Sequence, residues 1–196
     1  MKKKSQWKSA ADLVSELESD PAYVARQAEQ NDQRRRTEQE LAASELPLVQ
    51  ALIDVGVQVN SVWDLVNTSQ GYRNAVPVLL LHLEQSYPAK IREGIFRALA
   101  VPEAKGTAAR VLLRVFANER DPTMKWIIGN ALSVVAEATD LSTLSELVRD
   151  RSHGNARQPL LLAISRIGSP SSQEVLTQLL EDPNLRQLAK DIGINN

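Results

Sequence analysis

From about Leu46 onward, apolar residues recur at three- and four-residue intervals, which places them on one stripe of an α-helix. The pattern predicts helices over about 74–85, 88–100, 104–118, 122–137, 141–151, 155–167, 170–181 and 183–191. Upstream it thins. A helix is predicted over 10–18, with Leu13, Val14 and Leu17 on one face, and a second over about 21–43. The stretch 26–40 of that second helix is nearly all polar, the mark of a helix exposed to solvent or poorly ordered. Residues 47–55 read as a separate helix stopped by Gly56. Residues 61–67 read as one or two turns opened by Asn60 or Ser61, with Trp63 packing this linker on the helices that follow. The alternating stretch Val55-Gly56-Val57-Gln58-Val59 has no partner strand in the sequence and is expected to be a loop. Residues 1–8 are expected to be disordered.

Helix starts are marked as well. Asp20-Pro21, Asp121-Pro122, Ser169-Pro170 and Asp182-Pro183 each pair a capping oxygen with proline, which has no N–H to leave unsatisfied in the first turn. The second helix of each pair carries a basic residue a few positions in, at Arg92, Lys125, Arg157 and Arg186. An alanine follows inside the helix at Ala98, Ala131 and Ala163, spaced by 33 and 32 residues. The repeating unit is therefore two antiparallel helices of about 32 residues. The predicted organisation is an N-terminal helical extension over 1–46, a linker with the first packing helices over 47–74, and a repeat array over 75–196.

On these turns, basic residues and Ala-Leu or Ala-Ile pairs, residues 75–191 resemble the HEAT-like repeat family. The third unit departs from the pattern, with His153-Gly154-Asn155 in place of Asp-Pro and with Pro159 early in its second helix. The N-terminal part, through Asp20-Pro21-Ala22-Tyr23-Val24 and the segment around Trp63, is similar to uncharacterised bacterial HEAT-repeat proteins. The resemblance implies a bacterial origin and an all-α fold, an α-solenoid of antiparallel helix pairs with a truncated last unit as cap. It names no activity.

Composition narrows the function. The formal net charge is −1, and residues 75–196 carry 14 basic and 13 acidic side chains, so no strong field draws a polyanion. Aromatics make up only 4%, so the core must be built from Leu, Val, Ile and Ala. There is no cysteine, which excludes disulfides and thiolate chemistry and fits a cytoplasmic protein. The basic start Met1-Lys2-Lys3-Lys4 is not followed by an apolar stretch, and no run approaches a membrane span, so no membrane partner is expected. Glycines are scattered singly, and no nucleophile elbow or His-Glu-x-x-His is present, so no catalytic residue, cofactor or metal site is predicted.

The candidate partner-binding residues are Arg92, Lys125, Trp126, Asn130 and Arg157. The basic ladder reads either as a groove for phosphates or an acidic partner, or as side chains satisfying carbonyls and Asp121 or Asp182 between repeats. Trp126 and Asn130 are four apart and share a helix face. Trp126 reads either as an interface anchor or as core filling. Arg34-Arg35-Arg36 lies among acidic residues at salt-bridging offsets, as on a solvated face. His82 is expected to be a partly buried packing residue.

These features favour a protein-binding adaptor, scaffold or immunity-type inhibitor, not an enzyme. One alternative is a nucleic-acid binder, since some HEAT-like proteins resemble DNA glycosylases. Another is a HEAT-like lyase or lyase partner of the phycobilin group. The sequence leaves the oligomeric state open.

Overall fold

The computed structural model describes residues 9–193; the disorder expected for 1–8 lies outside them. Among the described residues there are eleven α-helices, three short 3-10 segments and no strand, so the chain is all-α. It divides into two compact units, Met1–Ala43 and Ser44–Asn196.

In the first unit, α1 (Ala10–Glu18) is followed by α2 (Pro21–Asp54), which continues into the second unit. The Asp20 carboxylate accepts from the Ala22 N–H at 3.0 Å and caps α2, with Pro21 at its first position. Leu13, Val14, Leu17 and Val24 are all exposed. The polar stretch 26–40 is helical and exposed, and within it Arg35 pairs with Asp32 at 2.8 Å on the surface.

The separate helix expected over 47–55 does not exist: α2 is one helix of 34 residues with Pro47 inside it. Proline removes only the N–H that would bond the Ala43 carbonyl, and Ala43 is exposed to water. Beyond it, Leu48 and Leu52 are completely buried and hold the last turns of the helix in place. The break in the ladder falls where the two units divide. The helix ends with Gly56 N–H on the Ile53 carbonyl and Val57 N–H on that of Leu52, the paired bonds of a left-handed glycine stop.

The second unit continues with α3 (Val62–Val66), α4 (Ala75–His82), α5 (Ala89–Ala98), α6 (Ala109–Asn118), α7 (Pro122–Val135), α8 (Leu141–Arg149), α9 (Arg157–Ile167), α10 (Pro170–Leu179) and α11 (Arg186–Gly193). Several boundaries differ from expectation. The helix expected from 104 begins at Ala109, because the chain turns through Gly106 at φ 73° after a 3-10 turn at Pro102–Ala104. The helix expected from 155 begins at Arg157, after the 3-10 segment Arg151–Ala156. Asp121 and Ser169 cap α7 and α10 as their sequences predict. After Asp182-Pro183 the chain first makes a turn, in which the Asp182 carboxylate accepts from the Asn184 N–H at 2.9 Å as a cap would, and α11 starts only at Arg186.

Helices pack in a regular succession. α3 packs on α5, α5 on α7, α7 on α9 and α9 on α11; alongside, α6 packs on α8 and α8 on α10. Cross contacts join α6 to α7, α8 to α9 and α10 to α11. The repeated alanines Ala98, Ala131 and Ala163 are all buried, where a small side chain lets neighbouring helices approach. The α7–α9 contact is close enough that a Cβ on Gly129 would lie 2.9 Å from Pro159 Cβ. At α3–α5, a Cβ on Gly94 would overlap Val62 Cγ1 and press on the Trp63 indole. Trp63 is half-buried there, and the Lys90 ammonium stands 3.9 Å above its ring.

Candidate partner-binding face

The basic ladder is engaged between helices and the turns that follow them, all within the second unit. Arg92 on α5 donates to the Glu119 carboxylate at 2.7 Å, in the turn that opens α7. Glu119 also accepts from the Arg120 and Asp121 N–H groups at 2.8 and 3.1 Å. Burial pushes the Glu119 carboxyl up, but these hydrogen bonds and the Arg92 charge outweigh it and hold the group below its ordinary range. From α7, the Lys125 ammonium donates to His153 Nδ1 at 2.7 Å, in the turn that opens α9. From α9, Arg157 donates to Asp182 at 2.7 Å in the turn before α11.

Arg157 is 1% exposed and also bonds the Gly154 and Val148 carbonyls, each at 3.2 Å. No ligand reaches its guanidinium without unpacking the joint. Arg186 differs: its Nε donates back to the Leu180 carbonyl at 2.9 Å. Arg92, Lys125 and Arg157 thus run from α5, α7 and α9 to the turns that precede α7, α9 and α11.

Trp126 and Asn130 stand elsewhere on α7. Trp126 is 39% exposed, while its helix neighbours Met124, Ile127 and Ile128 are buried. Asn130 is exposed one turn on. Thirty-three residues before and 32 after these positions, α5 exposes Arg97 and half-exposes Glu93, and α9 half-exposes Gln158 and Leu162. On α5 Arg97 pairs with Glu93 at 2.8 Å, and Lys90 shares the same carboxylate at 3.6 Å. The stripe is a near-neutral amide, charge-pair and apolar surface with one large aromatic on it.

Sequence reasoning missed two features. Glu45 is a buried carboxylate that accepts from Ser61 Oγ at 3.0 Å and from the Val62 N–H at 2.6 Å, tying α2 to the start of α3. Its position in the polar tail of an otherwise exposed helix carries no signal. His153, which the sequence places in a loose turn, is buried with its ring edge on Phe116 at 5.0 Å. Its alignment with Glu119 and Asp182 relative to the basic ladder was the available clue.

A cleft of about 360 Å³ lies between loop 56–59 and residues 68–72. Its one carboxylate, Asp64, accepts from the Asn60 and Ser61 N–H groups and is committed to capping α3. No helix among the described residues is long and apolar enough to cross a membrane. Comparison with known proteins gives no matching family model, no matching curated protein and no matching solved structure.

Proposed function

We propose that the second unit is a HEAT-like α-solenoid and that it binds a protein partner, without catalysis, through the exposed stripe of α5, α7 and α9. The succession of like-to-like helix contacts and the 32–33-residue period support the solenoid. Trp126 is the observation that carries the binding reading: a large aromatic, 39% exposed, beside an exposed amide on a helix whose other apolar residues are buried. Such a side chain brings a large apolar area and a polar handle to an interface at low entropic cost.

A protein fits this surface better than a polyanion. Arg92 and Arg157 are neutralised by Glu119 and Asp182, and Lys125 is turned to His153, so the ladder adds little to the surface field. The cysteine-free composition suits a reducing compartment, and a cytoplasmic adaptor or inhibitor is the reading we favour. The test is capture from the native host's lysate with wild type and with Trp126→Ala/Asn130→Ala, both shown folded by circular dichroism. One protein retained at stoichiometric level by wild type and lost by the variant supports the reading. Equal retention by both, or nucleic acid that washes off with salt, overturns it.

A further inference from the structure

We propose that the Lys125–His153 contact is a pH-sensitive joint: protonation of His153 sets two cations face to face and releases the first turn of α7 from the 151–156 turn.

Three basic side chains bridge a helix to a later turn, and two of them end on carboxylates, Glu119 and Asp182. The middle one ends on a histidine. An ammonium only donates, so at 2.7 Å His153 Nδ1 must be accepting, and the ring is then neutral with its proton on Nε2. A second proton would go on Nδ1, the atom that Lys125 occupies. Both partners would then be donors and both positive.

The charged groups around His153 come from three sides. Lys125 faces it from α7, Arg157 from α9, and Asp150 from the end of α8, its carboxylate 3.6 Å from Nε2. From α6 the neighbour is the uncharged Phe116 ring. Burial, Lys125 and Arg157 oppose the proton, and Asp150 favours it; the balance holds His153 below the ordinary histidine range. Asp150 is itself kept ionised by its bonds to Ser152. It therefore stays to pair with the imidazolium, and Lys125, half-exposed on a flexible stem, is the group that leaves. Residue 126 follows directly, so the turn set free is the one that carries the exposed tryptophan. The joint stands on its own geometry, whether or not that tryptophan binds a partner.

The experiment is hydrogen exchange on the full chain between pH 7.5 and 5, with His153 followed by proton NMR, on wild type, His153→Gln and Lys125→Met. Glutamine accepts from Lys125 and cannot titrate. Relative to His153→Gln, amides 123–126 and 151–157 of wild type should lose protection by up to about tenfold per pH unit below the ordinary histidine pKa. Segments around Arg92–Glu119 should match in the two proteins. In Lys125→Met, His153 should take its proton at higher pH than in wild type, and the joint should stay closed. Identical pH profiles in wild type and His153→Gln would overturn the proposal. So would opening that persists in Lys125→Met, a comparison that decides the matter even if the glutamine variant does not fold.

Discussion

The Arg157 guanidinium and the Asp182 carboxylate, 2.7 Å apart, join α9 to the turn before α11 with almost no access to water. Arg157→Met takes the buried guanidinium away from Asp182 and from the Val148 and Gly154 carbonyls, although Asp182 keeps the Asn184 N–H. Breaking a buried pair on one side costs about 3–5 kcal/mol. Urea denaturation should show a loss of that order for Arg157→Met. Asp182→Asn should cost less, because its side chain keeps 11% exposure. The double variant should be more stable than the sum of the two single losses implies.

Close helix approach makes a second prediction. With Pro159 Cβ 2.9 Å from where a Gly129 Cβ would sit, Gly129→Ala forces α7 and α9 apart despite alanine's better helix propensity. Overpacking of this kind costs about 1–3 kcal/mol. Thermal melts should show Gly129→Ala below wild type, and adding Pro159→Ala should recover part of the loss.

Stability should fall with acid in two stages. Burial holds His82 below the ordinary histidine range, and burial with Lys125 and Arg157 does the same for His153. The fold therefore holds both neutral, and the stability linked to them is complete above about pH 6.5 and is lost as pH falls through their lowered values. Asp182 is held below its ordinary value by the Arg157 hydrogen bond, and Glu119 by its bonds to Asp121, Arg92 and Arg120. Their contribution is complete above about pH 4.5 and disappears only at lower pH. Melting temperature followed from pH 8 to 3 should show both steps. The variant His82→Gln/His153→Gln should lack the first and keep the second.

Glu45 supplies a fourth prediction. Its carboxylate is the acceptor for the Val62 N–H at 2.6 Å and for the Ser61 hydroxyl. Glu45→Ala strands the buried Val62 N–H and should cost about 1–3 kcal/mol. The loss should appear first as faster amide exchange at residues 61–66.

The all-helical architecture was legible because it rests on the 3.6-residue apolar stripe, which is a property of neighbours in sequence. Asp121 and Ser169 were legible as caps for the same reason. Asp182 carried the same local sign and does accept from the Asn184 N–H, but its second oxygen goes to Arg157, 25 residues away, a partner that no local sequence sign announces. Pro47 carried the sign of a helix break, and the buried contacts of Leu48 and Leu52 overrode it. The periodicity of the basic ladder was visible, but its partners were not, because Glu119, His153 and Asp182 share a place in space and not a residue type. The exposure of Trp126 was open from sequence, since apolar periodicity places it beside the buried positions 124, 127 and 128 without saying which side it faces.

Trp126 gives the most direct measurement of the central claim. A purified partner captured with the wild-type chain should be titrated against wild type and Trp126→Ala by calorimetry, with urea melts of both chains. The interaction reading predicts that Trp126→Ala changes stability by no more than about 0.5–1 kcal/mol and weakens binding by about thirtyfold or more, the loss of an interface anchor. An unchanged affinity, or a loss of stability of several kcal/mol, would contradict it and return Trp126 to the core.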